Sequence, residues 1–532
     1  MESGEGWFSY RPTAARRPGP PRAGDGDTRP ELADVGRLAR RLLRRAVSAA
    51  RAEENSVWRL MAGHLGPGVA TLPVANGYWP QYDQVNVQAG LEAWLAEPGR
   101  SHETAGLTRF HHTMFGLADL AQPGHGRFGH GLGLGSVSTD IVPSGPGGAT
   151  RPCVQCALYL VTEPAGPLVA LLRGPDEHGE QESVTVEVAC ADRERGQHVV
   201  DEIRRLAVVH NVFRGHVLEF GGDVFGGHAF GRVRRPLLSF LDRPSVARDQ
   251  VILPPEVLDR IERQVLGVAR HAGRLLASGQ HLKRGILLHG APGTGKTHTL
   301  RYLLSELDGV TALILSGGSL RLIGEACSVA RTLQPSLIVI EDVDLIAEER
   351  EIMMGPQPLL FQLLNEMDGL GADLDVTFLL TTNRADLLEP ALAQRPGRVD
   401  HAALLPLPDA GARLQLLRLY QGNMELDLAD PDTVITRTEG VTASFLKELL
   451  RRAALRAADE PGPAAADAGT GTRPALRVTD AHLSAALDEL LDTSNQLTRA
   501  LLGAPGRAQR APHGADAVIP DPGSRPSRRP RH

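Results

Sequence analysis

The chain of 532 residues is long enough for roughly three or four domains. Its 57 basic and 63 acidic residues give a formal charge of −6, so charge alone indicates neither nucleic acid nor an anionic membrane as a partner. No run of about 18 apolar residues and no secretory pattern occurs, so we expect a cytoplasmic protein with no membrane partner. The 4 cysteines argue against a disulfide framework in so long a chain.

Residues 1–30 are rich in proline, glycine and arginine, which predicts a disordered tail, and residues 499–532 predict a second one. Residues 31–150 predict an N-terminal region that is partly helical. Its first segment carries a stripe of apolar residues at helical spacing, Leu32, Val35, Leu38, Leu42 and Leu43. Such a basic helix can lie on a membrane surface, but packing on its own domain is the commoner arrangement and the one we expect.

Residues 151–245 predict a small α+β domain, because apolar, β-prone runs surround one helix-like stretch from Glu194 to His210. This domain lies before the glycine-rich segment that runs from Arg284 to Thr297, and its position suggests a module that engages a substrate or supports assembly. Cys153 and Cys156 form a C-x-x-C pair. We expect no zinc or redox role for this pair, since no second pair exists and no helix pattern follows it.

The segment from Arg284 to Thr297 runs an apolar strand into a glycine-rich loop that ends in Gly-Lys-Thr. Glycines let successive backbone N–H groups converge on phosphate oxygens at a helix N-terminus, so the pattern predicts an ATP site. We expect Lys296 to reach the β- and γ-phosphates and the Thr297 hydroxyl to hold Mg²⁺. The residues predicted to bind the nucleotide are Gly290, Ala291, Pro292, Gly293, Thr294, Gly295, Lys296 and Thr297.

A second apolar strand, from Leu337 to Ile340, ends in the carboxylates of Glu341 and Asp342. Parallel sheets deliver acids to a nucleotide in this way, at the carboxyl ends of their strands. One carboxylate would orient Mg²⁺, and the next would polarise the water that attacks the γ-phosphate. Acids after a strand can also cap a helix, but their position after a phosphate loop favours the catalytic interpretation.

A third strand, from Val376 to Thr382, is followed by Asn383, whose amide can hydrogen-bond the attacking water or the γ-phosphate. Arg395 and Arg398 then flank a proline-glycine turn. Exposed arginines are usually solvated. The alternative is that a neighbouring subunit supplies them as arginine fingers, which neutralise charge in the transition state.

Together these motifs resemble the ATPase core of the AAA+ superfamily, in particular its classical AAA clade of unfolding and remodelling ATPases. The resemblance rests on the runs GAPGTGKT, LIVIEDVD, LLNEMDGL, LLTTNRADLLEPAL and RPGRVD. It implies an α/β P-loop core over residues 246–410, a parallel sheet sandwiched by helices, and a C-terminal helical lid over 411–498. In the lid, Ala443 and Ser444 stand where the clade usually has Gly-Ala.

The resemblance also implies roles for single residues. Asn383 would be the first sensor, and Arg395 and Arg398 would act across subunits in a homo-oligomeric ring, with six subunits the expected number. The clade usually has Asp before Glu, whereas here Glu341 takes the metal-side position and Asp342 that of the base. The shorter aspartate would hold the water about one methylene farther back, which predicts slower hydrolysis.

The clade grips polypeptide with an aromatic residue on a loop that lines the pore of the ring. In the matching stretch, from Gly317 to Glu325, that position falls on Leu322 or Ile323, which either contact a client or pack beneath the loop. We expect an ATP-driven remodeller of an unidentified protein client. The alternative is a slowly hydrolysing, nucleotide-gated scaffold or regulator that assembles on ATP. A nucleic-acid motor is disfavoured by the acidic balance.

Overall fold

The fold is taken from a computed structural model. The described residues are 56–108, 110, 115–122, 132–175, 183–221, 238–344, 358–369, 371, 374–386, 399–460 and 475–491. The predicted tails and the apolar stripe from Leu32 to Leu43 lie outside them. Within them the chain forms one antiparallel sheet, one largely parallel sheet and a C-terminal group of helices.

The antiparallel sheet has the strand order β1-β7-β6-β5-β2-β3, and β4 pairs with the first half of β5. Its strands are β1 (Val74–Pro80), β2 (Ser101–Thr108), β3 (Gly133–Gly135), β4 (Ser138–Pro143), β5 (Thr150–Glu163), β6 (Gly166–Arg173) and β7 (Ser183–Ala189). Its helices are α1 (Ser56–Leu65), α2 (Gln84–Leu95), α3 (Leu117–Leu120) and α4 (Arg193–Val209).

Successive side chains of a strand point to opposite faces, so each face of this sheet can hold its own core. Along β5, Tyr159 and Val161 pack with α2 and α4, whereas Leu158 and Leu160 pack with α1 and α3. This explains why the strand is apolar at consecutive positions rather than alternating.

The second sheet has the order β14-β10-β13-β12-β11-β8-β9, and all its neighbours are parallel except β8 and β9. Its strands are β8 (Val217–Phe220), β9 (Leu238–Leu241), β10 (Arg284–His289), β11 (Thr311–Leu315), β12 (Ser336–Ile340), β13 (Val376–Thr382) and β14 (His401–Leu404). Its helices are α5 (Pro255–Glu262), α6 (Val268–Ala277), α7 (Lys296–Glu306), α8 (Ile323–Thr332) and α9 (Pro358–Gly369). The predicted α/β class of the core is confirmed.

Helices cover both faces of this parallel sheet, and each face has its own apolar core. On β12, Ile338 and Ile340 pack on one face, and Leu337 and Val339 pack on the other. A sheet that is buried on both faces requires strands that are apolar throughout. This requirement is the reason that β12 and β13 are recognisable as short apolar runs in the sequence.

Two features differ from the predicted organisation. The strands Val217–Phe220 and Leu238–Leu241 were expected in the small domain that ended at residue 245, but they extend the parallel sheet beyond β11. In addition, the antiparallel sheet takes strands from residues 74–143, which were expected to be only partly helical. A short apolar strand carries no local signal of its pairing partner, so the sequence did not show which sheet it joins.

The two sheets share one apolar core. Val85 of α2 and Cys153 of β5 pack in the same cluster as Leu218 of β8 and Ile323 of α8. Burial raises the pKa of the Cys153 thiol to about 11, and that of the Cys156 thiol, on the opposite face of β5, to about 12. Both cysteines are therefore buried, unbridged thiols inside a strand.

The C-terminal helices are α10 (Ala410–Tyr420), α11 (Pro431–Arg437), α12 (Ala443–Asp459) and α13 (Asp480–Leu491), with a small parallel pair, β15 (Glu425–Asp427) and β16 (Arg477–Thr479). Phe445, Leu449 and Leu487 are buried in their common core. Thr442 caps the start of α12, since its side chain accepts a hydrogen bond from the Phe445 N–H at 3.3 Å. This group of helices has the helical character predicted for the lid.

Among the described residues, no helix combines the length and apolar character needed to cross a bilayer. The same residues contain no group of three or more His, Cys, Asp or Glu side chains that could hold a metal ion.

Candidate functional site

Three neighbouring strands of the parallel sheet end at one edge. β10 and β12 both pair in parallel with β13, so their carboxyl ends lie side by side. The phosphate loop follows β10, Glu341 and Asp342 follow β12, and Asn383 follows β13. The ligand sites of open α/β sheets lie at this edge. The structure thus brings together the predicted loop, acids and sensor amide, which are far apart in the sequence.

The phosphate loop has a backbone that only glycine adopts readily at three positions, Gly290, Gly293 and Gly295, and the first two also leave no room for a side chain. Gly290 has φ 152°, and a Cβ there would lie 2.5 Å from the Leu405 carbonyl oxygen. Gly293 has φ 83°, and a Cβ there would lie 2.9 Å from Ser444 and Thr442 atoms. The loop leads directly into α7, which begins at Lys296, so the N-terminus of this helix faces the loop. These features are those expected of a loop that binds phosphate through backbone N–H groups.

Lys296 is buried within this loop, and the residue is 7% exposed. Its ammonium donates to the carbonyl oxygens of Gly290 at 2.9 Å and Ala291 at 3.1 Å. Burial lowers the pKa of Lys296, while the carboxylates of Asp342 and Asp344 oppose this shift. A buried cation near two carboxylates and the loop is well suited to bind the phosphates of a nucleotide.

Glu341 lies on the side of the site nearest Thr297. The Thr297 side chain hydrogen-bonds the Glu341 carboxylate, whose Oε1 is buried and has no hydrogen-bond partner among the described residues. Burial raises the pKa of Glu341, and the negative charge of Asp342 adds to this effect. A buried, unpartnered carboxylate oxygen beside a hydroxyl is a donor set that fits a hard divalent cation such as Mg²⁺.

Asp342 has a left-handed backbone, with φ 51°, and is the one non-glycine residue with positive φ in the described part of the chain. Two contacts with the end of β13 hold it. Its N–H donates to Thr381 Oγ1 at 3.1 Å, and its Oδ1 accepts from Asn383 Nδ2 at 3.3 Å. Left-handed residues other than glycine are held by their surroundings and cluster at functional sites. The predicted base and the predicted sensor amide are therefore in direct contact.

Asp344 is a member of the site that the sequence interpretation did not assign. It is 7% exposed, and its Oδ1 accepts from Thr382 Oγ1 at 2.9 Å and from the Asn383 N–H at 3.3 Å. Acidic side chains are seldom buried without a partner. The signal available in the sequence was a third acid in the run Glu341-Asp342-Val343-Asp344, on the segment that follows an apolar strand.

The group of C-terminal helices contacts the phosphate loop directly. The N–H of Ser444, in the first turn of α12, donates to the Gly293 carbonyl oxygen at 3.2 Å. Ser444 occupies a position where the resemblance predicted alanine, and its side chain lies close to Gly293. The start of α12 therefore forms one wall of the site.

The two arginines predicted as fingers, Arg395 and Arg398, lie outside the described residues. The stretch that corresponds to a pore loop is described. Gly317–Leu322 form a 3₁₀ turn, Ile323 is 2% exposed, and Leu322 is partly buried against the same core. Of the two alternatives for these side chains, packing beneath the loop is the one that the structure shows.

A family model described as "ATPase family associated with various cellular activities (AAA)" matches residues 286–407. The human protein "ATPase family gene 2 protein homolog A" is 32% identical over 260 residues, which are 43% of this chain and 29% of that protein. An "ATP-dependent zinc metalloprotease FtsH" from Acidimicrobium ferrooxidans is 29% identical over 367 residues, 65% of this chain and 54% of the relative. The FtsH of Mycobacterium tuberculosis is 32% identical over 251 residues, 44% of this chain and 32% of the relative. The chain thus spans between 29% and 54% of the length of these relatives.

Proposed function

Because this chain belongs to the AAA+ superfamily through the ATPase domain at residues 286–407, we propose that it hydrolyses ATP and uses the energy to remodel a protein client. One observation carries the proposal: the carboxyl ends of β10, β12 and β13 gather the phosphate loop, two adjacent acids and an amide at one edge. This set supplies the positioning and electrostatic stabilisation that phosphoryl transfer requires.

In this proposal the phosphate loop, Gly290–Thr297, binds ATP. The backbone N–H groups at the start of α7 face the phosphates, and the Lys296 ammonium exchanges its present carbonyl partners for phosphate oxygens. Burial disfavours the charged form of Lys296 and so lowers its pKa. The exchange is favourable because negatively charged phosphate oxygens stabilise the buried ammonium better than neutral carbonyl oxygens do.

Thr297 and Glu341 would hold Mg²⁺, and the unpartnered Glu341 Oε1 supports this assignment. When bound, the cation neutralises negative charge on the phosphate oxygens. Glu341 must be ionised to bind a cation, and its raised pKa means that the site binds protons more readily than an ordinary glutamate does.

Asp342 would be the general base, and Asn383 would orient the attacking water. The hydrogen bond from Asn383 Nδ2 to Asp342 Oδ1 leaves the second carboxylate oxygen of Asp342 to accept a proton from water. The left-handed backbone of Asp342 sets the direction of its short side chain. Arg395 and Arg398 of a neighbouring subunit would neutralise the charge that develops in the transition state, which requires a homo-oligomer, with a hexamer as the proposed state.

The remodelling part of the proposal rests on the relatives. The FtsH relative is named an ATP-dependent zinc metalloprotease, so its name combines dependence on ATP with action on proteins. The proposal takes over only ATP-driven action on a protein client, because the chain covers 54% or less of the relatives named above.

One observation favours a second function, a slowly turning, nucleotide-gated scaffold or regulator. Ile323 and Leu322 pack in the core rather than projecting as a gripping surface. An aromatic side chain on a mobile loop would grip diverse sequences better than a packed aliphatic one. The aspartate at the position of the base also favours the scaffold or regulator, since it predicts slow hydrolysis.

Steady-state hydrolysis of MgATP by the full chain tests the enzymatic proposal. Asp342→Asn keeps a side-chain oxygen that can accept from Asn383, so we expect ATP binding to stay within about threefold while turnover falls by at least about 100-fold. The matched control is Lys296→Ala, which should lose binding as well. Equal loss of binding in both variants would contradict the assignment of Asp342 as the base.

A folded fluorescent protein with an unstructured tail separates the two functions. ATP-dependent loss of its fluorescence in the presence of the wild type, absent with Asp342→Asn, supports the remodeller. ATP-dependent assembly with slow turnover and an intact reporter would favour the scaffold.

A further inference from the structure

The turn that carries Asp342 is fastened to the end of β13 by backbone as well as side-chain bonds. The Asp342 N–H donates to Thr381 Oγ1 at 3.1 Å, and the Val343 N–H donates to the Thr381 carbonyl oxygen at 2.9 Å. These two bonds fix the position of the turn relative to the end of β13. They do not fix the orientation of Asn383, which lies beyond the end of the strand.

A second group of bonds surrounds Asn383 itself. Thr382 Oγ1 donates to Asp344 Oδ1 at 2.9 Å and accepts from the Arg384 N–H at 2.9 Å. The Asn383 N–H donates to the same Asp344 oxygen at 3.3 Å. The Arg384 N–H is therefore tied to the Thr382 hydroxyl, and this hydroxyl and the Asn383 N–H are both tied to one buried carboxylate, that of Asp344.

The two side chains that link this group, those of Thr382 and Asp344, are both buried. Thr382 is 0% exposed and Asp344 is 7% exposed, so neither side chain can exchange its partner for bulk water. An apolar residue would satisfy the packing of a buried strand end, whereas a hydroxyl is needed to bridge the carboxylate and the Arg384 N–H. The bond from the Arg384 N–H to this hydroxyl and the bond from the Asn383 N–H to Asp344 hold the two peptide groups next to Asn383, and with them the direction of the Asn383 side chain.

We propose that Thr382 and Asp344 are positioning residues for ATP hydrolysis, which act by aiming the Asn383 amide at the Asp342 carboxylate and the attacking water. This inference rests on the proposed ATPase function and adds two residues to its site. Neither residue needs to touch the nucleotide. Both act through the Asn383 Nδ2 contact with Asp342 Oδ1.

Thr382→Val tests the inference, because it keeps the shape of the side chain and removes the hydroxyl. We expect kcat for ATP to fall by about tenfold, the loss typical of a hydrogen bond to a charged group. KM should stay within about threefold, since the lost interaction orients the reacting groups rather than binding substrate. Thr382→Ser keeps the hydroxyl and should restore kcat to within about twofold of wild type.

Thr311→Val is the matched control for a structural effect. Thr311 is also 0% exposed, its hydroxyl donates to the Leu333 carbonyl oxygen at 2.9 Å, and it accepts from the Gly215 N–H at 3.0 Å. It lies at the start of β11, on the opposite edge of the same sheet. We expect it to lower the melting temperature about as much as Thr382→Val does and to leave kcat unchanged.

A second experiment asks whether the effect of Thr382 on kcat depends on Asn383. If Thr382 acts through Asn383, then Thr382→Val should lower kcat in the wild type and add nothing further in an Asn383→Ala background. Asp344→Asn retains an oxygen for both donors and should keep most of the activity, whereas Asp344→Ala should resemble Thr382→Val.

Three results would overturn the inference: an unchanged kcat in Thr382→Val, a fall that Thr311→Val reproduces, or an additive loss on top of Asn383→Ala. Each of these can occur while the wild type hydrolyses ATP and Asp342→Asn does not, and in that case the proposed function stands. Absence of hydrolysis in the wild type would instead refute the proposed function.

Discussion

At the scale of single residues, the site is built from groups that the protein holds in unfavourable states. Glu341 is a partly buried carboxylate with an oxygen that lacks a partner among the described residues, and Asp342 has a backbone conformation that non-glycine residues avoid. Left-handed residues of this kind cost about 1–3 kcal/mol and are kept where function requires them. The sequence indicates the chemical identity of these residues, but it gives no sign of their strain.

Glu341→Gln provides a test of this cost. A group whose pKa is raised in the folded state makes folding less favourable as the pH rises through that pKa, because the charged form is the poorly accommodated one. At pH 7 without divalent cations, we therefore expect Glu341→Gln to melt at a higher temperature than the wild type. The difference should shrink as the pH falls through the raised pKa of Glu341, where the wild-type side chain becomes neutral.

The same variant should behave in the opposite way with MgATP. Since Gln binds Mg²⁺ more weakly than an ionised carboxylate, the wild type should gain more thermal stability from MgATP than Glu341→Gln does. Scanning calorimetry with EDTA and with MgATP measures both effects. A variant that is less stable than the wild type in EDTA at pH 7 would contradict the account of Glu341.

At the scale of elements, the apolar runs that became β10, β12 and β13 could be predicted because a sheet covered on both faces needs continuous apolar strands. Glycines and lysine at fixed spacing likewise identified the loop before α7. The pairing of β8 with β11 could not be predicted, because a four-residue strand has the same local pattern in either sheet. The role of Asp344 also depends on a neighbouring strand rather than on its own segment.

The contact between the phosphate loop and α12 leads to a prediction at this scale. In Gly293→Ala the new methyl group would lie 2.9 Å from atoms of Ser444 and Thr442, and the backbone would keep φ 83°, which alanine disfavours. We expect the start of α12 to be pushed away from the loop, and the affinity for ATP to fall by about tenfold, a cost of about 1.4 kcal/mol.

Gly309→Ala separates backbone strain from the steric clash. Gly309 has φ 72°, and a Cβ there would meet no atom within 4 Å. This control should lose stability through the same backbone effect, by about 1 kcal/mol, and keep its affinity for ATP. Equal ATP affinities in the two variants, measured by titration calorimetry, would show that contact between lid and loop does not shape the site.

At the scale of the whole molecule, the antiparallel sheet is joined to the ATPase core rather than tethered to it. Val85 and Cys153 share a core with Leu218 and with Ile323, which follows the 3₁₀ turn Gly317–Leu322. Arg214 adds a hydrogen bond to the Gln334 carbonyl oxygen at 2.9 Å, at the end of the segment after α8. The antiparallel sheet and the parallel sheet are therefore packed against each other rather than joined by the chain alone.

Mixing two inactive variants is the most direct test of whether a neighbouring subunit completes the proposed ATP site. Asp342→Asn lacks the base but keeps Arg398, and Arg398→Ala lacks the finger but keeps Asp342. Each alone should lose at least about 100-fold in ATP turnover. An equimolar mixture should regain up to about a quarter of wild-type turnover, because a site is intact only where the pocket of an Arg398→Ala subunit faces an Asp342→Asn neighbour. A mixture no more active than its components, in assemblies shown to contain both subunits, would contradict the account.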